Sequence, residues 1–379
     1  MTGDDRLARR PDDAGRPEEV LVDVETGQLV HRPRPSPLGA VDWDLAARTA
    51  VALVPAGPRT SRYSAEQVVG ELTSAAVRAE GPVREVSGLA DGMPIPPAQI
   101  VDRPGWIRAA AGSMSELAGR PEPGGRKPGR AAGLQAGAML GFLSTAILGQ
   151  YDPFTGPDGT LLLVAPNIMS VERALGVSPS DFRLWVCLHE VTHRVQFSSS
   201  PWLGGYMKNT VDILGDVGDE PVTAMLQRLV ADLRERRADR NPPSDDPADR
   251  GVIGLLRAAQ PPAQREALDR LLVLGTLLEG HADHVMDAVG PAVVPTVTEI
   301  RAAFDERRKR AVNPMQRLLR ALLGMDAKAA QYVRGKAFVD AVVGRVGTAN
   351  FNAVWTAPDT LPLPAEIEQP QHWIDRVLG

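Results

Sequence analysis

Five consecutive residues, His189-Glu190-Val191-Thr192-His193, restrict this chain more than any other stretch, because they set two imidazoles four positions apart with a carboxylate beside the first. On a helix of 3.6 residues per turn, a four-residue step brings a side chain back to about 40° from its start, so both imidazoles face one point. Glu190 lies about 100° round the helix, leaning toward that point. This is the H-E-x-x-H pattern, in which the histidines hold zinc and the glutamate serves as general base. The flanks predict the helix that the pattern requires. Ser178-Pro179-Ser180-Asp181 supplies a cap and a turn, after which Leu184, Leu188, Val191 and Val195 recur as an apolar stripe. The histidines border that stripe, which predicts a cleft floor between core and solvent. Cys187 points about 200° from His189 and reads as a small core residue, not a thiolate ligand. The plain alternative is a surface helix with two histidines at helical spacing.

Zinc in a hydrolase takes a third protein ligand and leaves a fourth position open. The extended pattern H-E-x-x-H-x-x-G-x-x-H is excluded, since Gln196 stands at its glycine and Ser199 at its third histidine. A glutamate from a second helix is the other common solution, and Glu279-Gly280-His281-Ala282-Asp283-His284 offers one. Leu271-Leu272-Val273-Leu274 before it marks a buried helix, and a buried glutamate is costly without a cation. Glu279 is therefore the favoured third ligand, with His281 and His284 as rivals about 140° to 200° round the helix. For those two histidines the bland reading is an exposed or cleft-rim position. Asp283, four residues after Glu279 on the same face, is placed to accept an N–H from a ligating histidine and fix its ring.

Three segments together resemble a known family: the motif run from Leu184 to Phe197, the segment Glu279 to Asp287, and Gln331-Tyr332-Val333-Arg334-Gly335-Lys336-Ala337-Phe338-Val339. They are similar to an uncharacterised bacterial zincin-like metallopeptidase family, some of whose members are labelled deazaflavin-coenzyme biosynthesis associated. The likeness runs from about Val41 to the C-terminus. It implies a mainly helical zincin-type fold, His189, His193 and Glu279 as ligands of one zinc ion per chain, and Glu190 as catalytic base. No substrate comes with it.

Composition fits a soluble enzyme. A chain of 379 residues with 43% hydrophobic content can bury a large core. The net charge of −5 gives no sign of a nucleic-acid partner, and the basic run Arg307 to Arg310 follows Asp305-Glu306 on what reads as a solvated helix face. A single cysteine suits a reducing, cytoplasmic setting, and the charged opening from Met1 lacks the apolar core of a secretory signal. The longest apolar run, Ala136 to Leu148, is about thirteen residues, short of the roughly twenty of a membrane span, and reads as a core helix.

The expected class is mainly α with a small β-sheet, an α+β zincin-like architecture. Residues 1–40 form a flexible extension in which Val20, Val22 and Val24 before Glu25-Thr26-Gly27-Gln28 could make a hairpin. Residues 41–379 form the metallopeptidase domain, with a lobe boundary in the Pro/Gly-rich stretch near 119–131. Helices are expected at 42–54, at 64–79 with Ser64 and Gln67 as a capping box, and at 102–118. Thr160-Leu161-Leu162-Leu163-Val164-Ala165 is the strand candidate; either its unpaired edge lines the cleft and pairs with an extended peptide, or the strand is covered by its neighbours. Further helices are expected at 202–216, 219–240, 263–289, 296–312, 314–324 and 326–346, with a loop at 241–249 and Pro-rich coil after Trp355.

The expected chemistry is hydrolysis by zinc-activated water, with Glu190 taking a proton and passing it to the leaving group. Tyr332, His284, Arg334 and Tyr206 have the chemistry of donors to the developing oxyanion, the first two foremost, with a purely structural role the plainer reading of each. Three function classes fit: a peptidase acting on a peptide or protein substrate, a zinc hydrolase of another amide or ester, and a metal-binding interaction protein with little turnover. Retention of Glu190, which proton transfer needs and ligation does not, favours an enzyme.

Overall fold

The structure, a computed structural model, describes residues 20–22, 29–31, 41–118, 129–215, 260–309 and 325–379; side chains are described for 41–118, 129–214, 260–304, 306 and 334–379. The chain divides by its contacts into Met1–Pro35 and Ser36–Gly379. In the first unit β1 (Val20–Val22) and β2 (Leu29–His31) pair antiparallel, Val20 opposite His31, which is the hairpin pairing expected there. Its connection lies outside the described residues, as do the expected helices at 219–240 and 314–324, the loop at 241–249 and most of the stretch at 119–131.

The described residues of the second unit form a helical assembly around one small sheet. In chain order it runs α1 (Trp43–Leu53), α2 (Arg62–Ser87), β3 (Gln99–Val101), α3 (Arg103–Ala118), α4 (Arg130–Leu143), β4 (Gly149–Asp152), β5 (Thr160–Val164), α5 (Ala165–Leu175), α6 (Pro179–Ser199) and α7 (Trp202–Gly215). It continues with α8 (Pro262–Val289), α9 (Val297–Lys309), α10 (Met325–Val346), α11 (Thr348–Phe351), α12 (Pro364–Glu368) and α13 (Pro370–Val377). This is the expected α+β class. The sheet order is β3-β5-β4, with β3 parallel and β4 antiparallel to β5. β5 is therefore the central strand and has no free edge, which decides between the two expected readings: it is the covered strand and not the edge along the cleft. The reason shows in its burial. Leu161 and Leu163 enter the main core, while Leu162 and Val164 enter a second cluster with Ala46, Ala50, Trp106 and Ile107. A strand covered on both faces reads as an unbroken apolar run.

Other boundaries shifted for local reasons. Ser61, not Ser64, caps α2, its Oγ accepting from the Ser64 N–H at 3.1 Å. The apolar run expected as a helix over 136–148 begins at Arg130 and stops at Leu143. There the Ser144 and Thr145 hydroxyls donate to the Gly141 and Phe142 carbonyls at 2.7 and 2.8 Å, competing with helical pairing and freeing the following residues for β4. The C-terminal prolines start helices instead of ending them: Pro364 and Pro370 occupy the first positions of α12 and α13, where no N–H is needed.

Helix α6 is the pivot of the main core. Leu184, Leu188, Val191 and Val195, the predicted stripe, are all buried. Two buried arginines on α6 clamp it on either side of the motif. Arg183 holds Glu172 of α5 through two hydrogen bonds of 2.9 and 2.6 Å and also pairs with Glu71 of α2. Arg194 pairs with Glu80 of α2, which binds Arg84 through its other oxygen at 2.6 Å. Buried charges are tolerable only with such partners.

Helix α8 is held from the other side by α10, where Gly280 and Gly335 meet backbone to backbone. A Cβ on Gly280 would overlap the Gly335 main chain, and one on Gly335 would overlap the Thr276 carbonyl. This contact lies next to Glu279. Replacing Gly335 with Ala should force the helices apart and destabilise the protein by about 2–3 kcal/mol. By contrast, Gly275→Ala on the same helix adds a methyl that meets nothing within 4 Å and should stabilise by about 0.5–1 kcal/mol. Urea denaturation of both variants checks the contrast; equal effects would refute the close crossing.

Candidate metal centre

Helices α6 and α8 bring three side chains together: His189 and His193 from the first, Glu279 from the second. Nε2 of His193 lies 3.2 Å from Nε2 of His189, and Glu279 Oε2 lies 3.3 Å from the His189 nitrogen and 3.6 Å from the His193 nitrogen. A tetrahedral zinc with ligands at 2.0–2.1 Å places its donor atoms about 3.3 Å apart. The three donors already stand at that spacing. Among the described residues they form the one His/Cys/Asp/Glu group able to hold a metal ion. Their side chains keep 22, 14 and 20% of their exposure, so the cluster is sunken yet reachable from solvent, as a fourth, open position requires.

The electrostatics also fit a cation. Burial would raise the Glu279 pKa, but His189 and His193 hold it well below the usual carboxylate range. Its buried Oε2 makes no hydrogen bond among the described residues. Burial alone would lower the His189 pKa. The Glu279 carboxylate overrides it, with Glu190 and Asp283 adding, and raises it to about 9.

Glu190 is buried with its carboxylate against the first residue of β4. A Cβ at Gly149 would stand 2.6 Å from Cγ and 2.7 Å from Cδ of Glu190, so only glycine leaves room there. Strand β4 is the sheet edge beside α6. Val164 donates to the Leu148 carbonyl at 2.8 Å, and Gly149 lies opposite Leu163. That register directs the backbone groups of Gly149 and Tyr151 away from β5.

The remaining candidates divide. His281 is no rim residue: it is 1% exposed and packs against Phe351 and Trp355 at centroid distances of 5.5 and 5.2 Å. It faces Gln196, itself fully buried, whose Nε2 donates to the His281 Nδ1 and to the Leu278 carbonyl at 2.9 Å each. The Gln196 Oε1 lies 2.9 Å from Nδ1 of His193. His284 is half-buried and paired through Nδ1 with Asp340 of α10 at 2.6 Å. Asp283 is half-buried and acts electrostatically on His189. Arg334 pairs with Glu368 at 2.9 Å, and Tyr206 packs edge-on against Trp202. The Tyr332 side chain lies outside the described residues. Burial pushes the Cys187 thiol up, in keeping with a core residue. The contacts of Gly149 with Glu190 and of Gln196 with His193 and His281 were not foreseen from the sequence. Only Gln196 left a signal, as a polar residue where the extended pattern has glycine.

Residues 41–374 match the pattern of the zincin-like metallopeptidases. The chain belongs to that family. Comparison with curated proteins gives no match. Among solved structures the chain is similar to a crystal structure from Chloroflexus aurantiacus, described as a candidate hydrolase with a novel fold. The two are 27% identical, with a TM-score of 0.59, over 89% of this chain and 98% of the other. Membership in the zincin-like family implies a metal and hydrolase chemistry, and the His-His-Glu cluster is where this chain could hold that metal.

The buried His281 gives this zincin-like chain an acid-sensitive point. Burial, with His284 and His193 nearby, lowers its pKa to about 3, so it stays neutral in the fold while the unfolded chain takes up a proton below pH 6.5. Stability should fall as pH drops from 6.5 toward 4.5, by about 1.4 kcal/mol per pH unit from this group. His189 does not contribute in that window. Its raised pKa stabilises fully below 6.5, and that stabilisation is lost as pH rises through about 9. Denaturation of the metal-free protein across pH 4.5–6.5 should show the slope in the parent and lose it in His281→Asn.

Proposed function

We propose that this chain is a zinc-dependent peptidase that hydrolyses peptide bonds with Glu190 as general base. The observation that carries the reading is the donor triangle of His189, His193 and Glu279, set at tetrahedral spacing by two helices far apart in sequence. Its donor chemistry, two imidazoles and a carboxylate, suits zinc. When bound, the zinc supplies Lewis acidity that activates water and polarises a carbonyl.

The chain's own residues do the rest. Glu190, packed on Gly149, accepts a proton from the attacking water and returns it to the leaving amine. Asp283 adds negative charge beside His189. The outward edge of β4 offers Gly149 and Tyr151 backbone groups to an extended peptide, next to the base. His284, whose Nδ1 is taken by Asp340, and Tyr332 on α10 are the two candidate donors to the developing oxyanion. No described helix is long and apolar enough to cross a membrane, and the proposed setting is the cytoplasm.

Metal analysis with a broad peptide library tests the assignment. The parent and Glu190→Gln should each carry about one zinc per chain, while the substitution lowers cleavage by about 10²–10⁴-fold. Glu279→Ala should lose the zinc. Cleavage that survives Glu190→Gln refutes the general base, and zinc that survives Glu279→Ala refutes the third ligand.

A further inference from the structure

We propose that Gln196 and His281 are positioning residues that fix the ring of His193, and that the turn of α8 supplying Glu279 sets their orientation. The inference rests on the reading of His189, His193 and Glu279 as a metal centre.

The Leu278 carbonyl can only accept a hydrogen bond, and Gln196 reaches it at 2.9 Å. The Gln196 atom there must be the amide nitrogen; the opposite flip would face oxygen against oxygen in a buried site. The same nitrogen lies 2.9 Å from Nδ1 of His281, so that ring nitrogen accepts and its proton sits on Nε2. With both amide hydrogens committed, Gln196 has only Oε1 for His193. Nδ1 of His193, 2.9 Å away, must then carry the proton. The lone pair is left on Nε2, which is the atom aimed at His189 and Glu279.

Two features make the arrangement stiff. Gln196 is fully buried, so no water competes for its amide. His281 is wedged against Phe351 and Trp355 and cannot swing to become a ligand. His281 thus sits two residues from Glu279 and would act on a bound metal only through Gln196 and His193. An outer partner that holds a ligating histidine is worth about tenfold to a hundredfold in metal affinity.

Zinc affinity measured by competition with a chromophoric chelator tests this, beside the thermal transition of the metal-free protein. Gln196→Met, similar in volume but without an acceptor, should weaken zinc binding by about tenfold to a hundredfold. His281→Asn keeps an acceptor near the Nδ1 position and should bind zinc within about twofold of the parent, whereas His281→Leu should lose affinity by about three- to tenfold. Long-range ¹⁵N–¹H correlation on the zinc-loaded parent needs no variant. It should show His281 protonated on Nε2 and a His193 Nδ1 proton protected from exchange. Unchanged affinity in Gln196→Met, equal affinities in the Asn and Leu variants, or His281 protonated on Nδ1 would each overturn the proposal. A parent that binds no zinc would instead sink the metal-centre reading on its own.

Discussion

The organisation of this protein turns on one carboxylate. Glu279 is carried into the interior on α8, where burial alone would force it to take up a proton, and two imidazoles from α6 keep it ionised. That balance depends on the two helices keeping Glu279 close to both imidazoles. The protein meets the requirement with contacts that cannot slide. Gly280 and Gly335 pin α8 on α10 at the residue next to the carboxylate, while Arg183 and Arg194 fasten α6 to α2 and α5 on either side of the histidines.

The sheet serves the same site with a minimum of material. β5, buried on both faces, is a fixed spine, and β4 is laid beside it so that its first residue meets Glu190. Removing a side chain at Gly149 lets main chain approach a catalytic candidate directly. Main chain held in a sheet ladder thus forms one wall of the space around the Glu190 carboxylate.

Much of this could be read from the sequence, and the parts that could were local. Two histidines four apart, a capped amphipathic helix and an apolar approach to Glu279 all declare themselves within one or two helical turns, and the structure brings all three donors together. The failures involved partners distant in the chain. Thr160–Val164 was recognisable as a strand, but whether it was central or peripheral depended on β3 and β4, each too short to show a period. His281 resembled any polar residue of a helix face until Gln196, Phe351 and Trp355 closed around it. Gly149 carried no signal, because what matters there is the side chain it lacks. The third stretch of the family likeness, around Gly335, gains a physical reason only from the helix it touches.

Gln196 has one more effect, through the helix that contains it. With glutamine where a related pattern has glycine, α6 continues unbroken to Ser199 and cannot turn back to offer a third donor from its own segment. Two donors therefore arrive as soon as one helix forms, whereas the last arrives only when a long stretch of chain has been closed and α8 has docked. A chain in which only α6 has formed would hold two of the three candidate donors. On the proposed reading, firm binding of a metal would therefore report that α6 and α8 have docked.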